Sequence, residues 1–425
     1  MNSRVTLVQN RPIHRTVLSN GMVVLAVENS AADIISARIF IRTGTLWESP
    51  QEAGISHLFA SVLTKGTEQF SSLEIAERIE CTGAGLGADA SSDYFLLSLK
   101  TVSPDFPEML DLAGHILRSP TFPENEVDLE RRLTLQAIRS QQEQPFTIAL
   151  DQLRQSIYRE HPYALSGLGT IETVSRLTRK DLQHYHQTYF RPDNVIVSIA
   201  GRITPEAAIA LVDQVFGNWQ IPAEPLSPPS MPRLTYDPQV TTTVQDTKQA
   251  IVMLGYPVPS VHSPDYGALK LLNTYLGNGL SSRLFVELRE KRGLAYEVSA
   301  FYPTRLEASH FVAYMGTAAE NTSVALDGLK AEIDRLWTAQ LSSGELEAAK
   351  NKLLGQYALG KQTNAQIAQT AGWYELLGLG VEFDAQFRNL VTAVTPEEAQ
   401  AVASRHFSMP YISLVGPAVA LGVPE

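Results

Sequence analysis

The spacing of hydrophobic and polar positions changes period repeatedly along the chain, and each change marks an element. Thr16–Val27 (TVLSNGMVVLAV) holds two β-rich runs on either side of Asn20-Gly21, a pair that favours a tight turn. Ile34–Ile41 (IISARIFI) predicts a further strand, Tyr94–Leu99 alternates like one, and Asn194–Ala200 (NVIVSIA) reads as a buried strand stopped by Gly201. Apolar residues three and four apart predict helices over Gly54–Leu63 and over Ser72–Glu80, the latter with a capping serine. Helical patterns also cover Asp105–Leu117, Pro123–Gln142 and Leu177–Tyr189.

The order then repeats loosely. Strands are expected at Ala250–Leu254, Tyr296–Phe301, Phe311–Met315 and Ile412–Val415. Helices are expected at Tyr266–Leu276, Ser282–Lys291, Asn321–Trp337 and Gly344–Ala358. Six prolines between Gln220 and Pro238 remove backbone donors and fix φ, which makes that stretch an extended connector. The fold class implied is α+β, in two homologous halves with strands on one face and helices on the other. The expected division is residues 1–219, a linker at 220–240 and residues 241–425, with the halves facing each other like a clamshell.

Composition narrows the function. The chain has 425 residues, 44% hydrophobic and 19% charged, which is the balance of a globular protein with a sizeable core. No apolar run is long enough to span a membrane, and Met1–His14 lacks the profile of a secretion signal. A single cysteine, Cys81, excludes an internal disulfide and a multi-cysteine metal cluster, so bacterial cytoplasm is the expected location. The formal net charge of −11 disfavours nucleic acid and anionic membranes as partners.

Two motifs fall away on context. Gly83–Ala88 fits a dinucleotide fingerprint superficially, but it follows a helix where that fingerprint needs a strand, and it is read as a turn of small residues. His184 and His186 stand two apart on an expected helix, cannot chelate one ion from it, and are read as surface histidines.

The segment Gly54–Thr67 (GISHLFASVLTKGT) resembles the zinc helix of the M16 peptidases, among them pitrilysin, insulin-degrading enzyme and the mitochondrial processing peptidase. In that family the helix reads H-x-x-E-H. Two histidines one turn apart grip Zn²⁺ and the glutamate activates its water. On this resemblance His57 keeps the first ligand, Ala60 replaces the general base and Ser61 replaces the second ligand. The stretch Glu130–Ala137 resembles the family's distal helix, with Glu130 retained and Ala137 at the third ligand position. One imidazole cannot hold a zinc that needs at least three protein ligands, so no metal is expected in this chain. Gly83–Ala90 resembles the strand that lines the family's cleft, with Gly87 where active members often carry asparagine.

Leu276–Val298 (LGNGLSSRLFVELREKRGLAYEV) resembles the family's second-half signature. There the resemblance assigns Arg289 and Tyr296 to the substrate carbonyl and its developing oxyanion. Arg283 and Glu287, four apart, are expected to form a supporting ion pair. Tyr189–Asn194 and the Asn20-Gly21 hairpin are also similar to the family, so the likeness runs from Thr16 to about Val415.

The resemblance therefore implies the M16 (LuxS/MPP-like metallohydrolase) fold and the zinc-free subunit of a two-chain metalloendopeptidase. Such a subunit is inactive alone and supplies Arg289 and Tyr296 to the zinc site of an M16 partner. Its substrates would be extended peptides, and the isolated chain is open to homodimerisation. The alternatives are a structural or peptide-binding protein of this fold with no part in catalysis, and an independent enzyme with a relocated metal site.

Overall fold

The computed structural model describes residues 12–229 and 231–422. They form two compact units, neither continuous in sequence. The first comprises residues 1–138, 166–230 and 358–383, and the second 139–165, 231–357 and 384–425, masked residues aside. Each half of the chain thus lends one segment to the unit built by the other half, an exchange that the division by sequence did not anticipate.

In the first unit the strands are β1 (His14–Val17), β2 (Val23–Glu28), β3 (Ile34–Ile41), β4 (Gly85–Ala90), β5 (Phe95–Val102) and β6 (Val195–Gly201). They lie in the order β1-β2-β6-β3-β5-β4, all neighbours antiparallel except β2 and β6. Gly21 takes φ 80° in the β1–β2 turn, which explains the glycine there. The helices are α1 (Ile55–Leu63), α2 (Ser72–Cys81), α3 (Phe106–Arg118), α4 (Glu124–Gln142), α5 (Pro145–Tyr158), α6 (Ile171–Arg176), α7 (Arg179–Tyr189) and α8 (Pro205–Phe216). Of these, α5 belongs to the second unit and the unit boundary falls inside α4. Val24, Ile39, Leu97 and Val197 on one sheet face join Phe59, Leu110 and Val212 from the helices in a continuous buried core.

The second unit has β7 (Val240–Val244), β8 (Gln249–Val258), β9 (Glu297–Phe301), β10 (Ser309–Ala318) and β11 (Tyr411–Gly416) in the order β7-β11-β8-β10-β9. Only β7 and β11 are parallel. Numbered within each half, both sheets read first, fifth, second, fourth, third, with β1 as an extra strand. The loose repetition in the sequence is thus a repetition of topology. Helices α9 (Tyr266–Gly277), α10 (Thr322–Thr338), α11 (Ser343–Leu359), α12 (Asn364–Leu376), α13 (Phe383–Ala393), α14 (Pro396–His406) and the short α15 (Ala418–Leu421) complete the chain order.

The exchanged helices seat by similar means. In the first unit α12 crosses β3 and β6, and Gly372 lets it approach. A Cβ there would stand 2.3 Å from the Phe40 ring and 3.1 Å from Ser198 Cβ. Asn364 at its start accepts from Asn29 Nδ2 at 2.5 Å and donates to the Ile34 carbonyl at 2.8 Å. In the second unit α5 lies on β8 and β11, with Leu153 filling the place a Cβ of Gly255 would take.

Candidate functional site

Helix α1 carries the window that resembles a zinc helix, and the network beneath it is fully buried. Gly54 starts the helix at φ 93°. The Glu48 carboxylate accepts from the Gly54 amide at 2.8 Å and the Ser56 amide at 3.0 Å, which satisfies two of the donors at the helix start. Burial drives the Glu48 pKa up to about 7, against the hydrogen bonds from Ser56 and Gly54 that favour the carboxylate. The Tyr185 hydroxyl sits between Thr43 Oγ1 at 2.9 Å and Ser56 Oγ at 3.0 Å. Phe59 packs its ring 4.6 Å from Phe190, 5.0 Å from Tyr185 and 5.5 Å from Phe95. A helix held on both its polar and its apolar side has a fixed register, so the positions of its exposed groups are set.

Those groups do not form a metal site. His57 is half-buried; burial lowers its pKa, opposed by the charges of Asp89 and Glu130. Glu130 is paired with Lys65 at 3.1 Å, so its charge is already compensated. Ser61 donates its hydroxyl to the His57 carbonyl at 3.1 Å, a bond within the helix itself. Ala60 is buried and Ala137 half-buried, and neither offers a lone pair. Ala137 lies two turns beyond Glu130 on α4, about 10 Å along the axis. The structure brings Asp89 and Glu130 within electrostatic range of His57. Among the described residues, however, no three His, Cys, Asp or Glu side chains are placed to hold a metal. Zinc does not fit this donor set.

Beside α1 runs β4, the outermost strand of its sheet, with one backbone edge that no other strand pairs among the described residues. Of Gly83–Ala88, only Gly83 lies in a turn, at φ 61°. Residues from Gly85 onward pair with β5 in antiparallel register, Gly87 opposite Ser98. The unpaired edge can accept an extended peptide as a further strand.

In the second unit, Arg289 lies in a π-helix, Phe285–Lys291, a wide helical form found often at functional sites. Its guanidinium stacks 5.0 Å from the Phe285 ring and is exposed. Tyr296 donates its amide to the Gly316 carbonyl at 2.9 Å while its side chain is 57% exposed. Among the described residues no side-chain hydrogen bond or ion pair engages either head group, so both are available to a ligand. Arg283 pairs with Glu287 at 3.0 Å as the spacing predicted, and also donates to Glu332 at 2.7 Å.

Three supporting groups escaped the sequence reading. Glu48 and Tyr185 carry no local signature of burial. His186 is not a surface histidine: it stacks on Phe190 at 5.2 Å and donates from Nε2 to the Leu117 carbonyl at 2.8 Å. Its burial lowers its pKa, opposed by that bond.

The chain matches the family model for "Insulinase (Peptidase family M16)" over residues 23–171 and that for "Peptidase M16 inactive domain" over residues 176–353. It is similar to YmxG of Bacillus subtilis, described as an uncharacterized zinc protease. The identity is 28% over 407 residues, covering 95% of this chain and 98% of that protein. An uncharacterized zinc protease of Streptomyces coelicolor is 26% identical over 412 residues, covering 95% of this chain and 90% of its own. Among solved structures, a protease from Helicobacter pylori superposes with a TM-score of 0.90 at 20% identity, covering 96% of this chain and 99% of its own. The peptidase M16 inactive domain from Pseudomonas fluorescens gives 0.87 at 24%, covering 95% and 98%. These two structures speak for the fold. With both family models falling in order along a chain whose two units repeat one topology, the conclusion is direct: this chain belongs to the M16 peptidase family.

Proposed function

We propose that this chain is the zinc-free subunit of a two-chain M16 metalloendopeptidase, and that it binds extended peptides and presents Arg289 and Tyr296 to a zinc-bearing partner of similar fold. The observation that carries the reading is a contrast. The donor set around α1 cannot hold the metal, while the two polar heads of the second unit are exposed and unengaged. Had the whole site decayed in a scaffold, there would be no reason for an arginine on a π-helix and a strand-edge tyrosine to stay uncommitted.

In this account the hydrolytic step belongs to the partner. A peptide pairs its backbone with the open edge of β4 through main-chain hydrogen bonds, leaving alternate side chains to be read by the sheet face. The Arg289 guanidinium donates to a carbonyl oxygen where negative charge develops, and the Tyr296 hydroxyl donates beside it. The setting is a reducing bacterial compartment, with neither nucleic acid nor membrane as a partner. Among the described residues no helix is long and apolar enough to cross a membrane.

The test is reconstitution with a zinc-bearing M16 chain from the same cell, read by cleavage of a quenched fluorescent peptide. Each chain alone is expected to be inert and the mixture active. R289A and Y296F should still associate with the partner but turn over far more slowly. Association with unchanged turnover in both variants would reduce the chain to a structural or peptide-binding role.

A further inference from the structure

The two sheets differ at one place, and the difference leaves a strand edge bare. In the first sheet β1 lies antiparallel on the outer edge of β2. In the second sheet β7 holds the position of β2, and among the described residues no strand lies beyond it. On its inner side the Gln239 carbonyl accepts the Ile412 amide at 2.9 Å, and the Gln245 amide donates to the Gly416 carbonyl at 2.8 Å. Odd-numbered residues of β7 therefore bond to β11. The amides and carbonyls of Val240, Thr242 and Val244 point out along the open edge.

The side chains of the same three residues share one sheet face. Register aligns Val240 with Ile412 and, one strand further in, with Leu254. This is the face on which Tyr256 packs 5.2 Å from the ring of Phe407, just after α14. Ile412 and Leu254 are buried there, whereas Val240 and Val244 are 59% and 53% exposed, so the apolar face runs on past its helix cover. The side chains between them are engaged within the unit. Thr241 Oγ1 donates to the Ile412 carbonyl at 3.1 Å, and Gln152 of α5 donates to Thr243 Oγ1.

Open edges are usually blunted by charge, proline or a bulge. β1 carries Arg15, β4 carries Asp89 and β9 carries Glu297. β7 is Val-Thr-Thr-Thr-Val, with none of these devices, and it reads the same in both directions. Such a strand is complementary to a copy of itself. A two-fold axis at Thr242 sets Val240 against the copy's Val244, Val244 against the copy's Val240, and Thr242 against its own counterpart. All three pairs fall on the outward-facing residues, so each exchanges two backbone hydrogen bonds. Valine meets valine and threonine meets threonine across the seam. The chain's net charge of −11 repels a second copy, and an uncharged seam adds nothing to that repulsion.

We infer that the outer edge of β7 is a homodimerisation surface, on which a second copy of this chain adds its own β7 antiparallel about Thr242. The copy takes the place that β1 fills in the first sheet. Because the same patch serves both copies, the contact closes into a dimer and does not propagate as a filament. β7 and β9 stand at opposite ends of the sheet order, so the seam leaves the β9 edge, which begins one residue after Tyr296, uncovered. The inference is independent of the zinc-free reading. A five-residue edge buries less than the roughly 1,200 Å² of a standard interface, so the dimer is reversible, with a dissociation constant of about 10 μM or weaker.

The experiment is sedimentation velocity on the full chain from micromolar to submillimolar concentration, where wild type should pass from monomer to dimer. Two double variants keep the strand and change only the seam. V240E/V244E opposes glutamate to glutamate twice and should weaken association about thirtyfold. V240K/V244E introduces as many charges but opposes lysine to glutamate twice, and should dimerise at least as well as wild type. A wild type that stays monomeric overturns the inference. So does a dimer that both variants leave unchanged, because its interface then lies elsewhere. Cross-linking decides the register in a C81S background, which removes the exposed native thiol. A short bismaleimide should join T242C into a covalent dimer. It should not join V240C, whose counterpart lies four residues along the strand, about 14 Å away. Should either charged variant misfold by circular dichroism, this pattern decides alone: T242C joined and V240C not joined supports the seam, and any other pattern overturns it.

Discussion

Glu48 supplies the sharpest quantitative expectation. Its carboxyl is buried at the start of α1, and its pKa rises from 4.5 to about 7. The folded state therefore holds a proton that the unfolded state releases between those values. Stability from this group is fully present below pH 4.5 and is lost as pH rises through about 7. A shift of roughly 2.5 units at about 1.4 kcal/mol per unit amounts to about 3 kcal/mol. E48Q keeps the shape and one acceptor oxygen, enough for one of the Gly54 and Ser56 amides, but cannot titrate. The assay is hydrogen exchange at the α1 amides, corrected for intrinsic rates, in wild type and E48Q from acid to neutral pH. Wild-type protection, relative to the variant, should fall by about two powers of ten across the window. Equal pH profiles for the two proteins would refute the claim that a buried, titrating carboxyl anchors this helix.

Other expectations follow from packing and exposure. G372A forces a methyl into the Phe40 ring and should destabilise the first unit by about 1–3 kcal/mol, read as a lowered thermal midpoint. F59A removes the centre of the aromatic cluster around α1 and should cost about 3–5 kcal/mol in urea denaturation. R289A and Y296F, both at exposed positions, should stay within about 0.5 kcal/mol of wild type in the same assay. In the reconstituted pair each should lower turnover by about a hundredfold, the scale of a lost oxyanion donor. The double variant S61H/A137E places metal-ligating side chains at the α1 and α4 positions that the resemblance assigns to ligands and should retain zinc through dialysis, measured by elemental analysis.

Where one physical rule controls an element, the chain reads plainly. Ile34–Ile41 is rich in β-branched residues and is β3 from end to end, and Ser71 closes a capping box on α2 with Glu74. β4 is harder because Gly-Leu-Gly-Ala-Asp-Ala sets one leucine and two alanines against two glycines and an aspartate, so its period carries little hydrophobic contrast and turn chemistry dominates the reading. The pairing with β5 that makes it a strand is a tertiary fact. The same holds for α5 and α12, whose seats are made by distant strands, with Gly255 and Gly372 as the only local hints. The π-helical geometry around Arg289 has no counterpart in spacing rules built on 3.6 residues per turn. Of the candidate site, Ala60, Ser61 and Ala137 could be set one residue at a time against the motif that the chain resembles. The buried supports were not, since neither Glu48 nor Tyr185 announces that it will be enclosed.

The claim at the centre of the account is that this chain carries no zinc of its own, and the metal content of the purified protein tests it directly. The chain is exposed to zinc, dialysed exhaustively and measured by elemental analysis. Retention of essentially none is the predicted result and directs attention to a zinc-bearing partner. About one tightly held zinc per chain would contradict the reading of His57, Ala60, Ser61 and Ala137 and make this an enzyme in its own right.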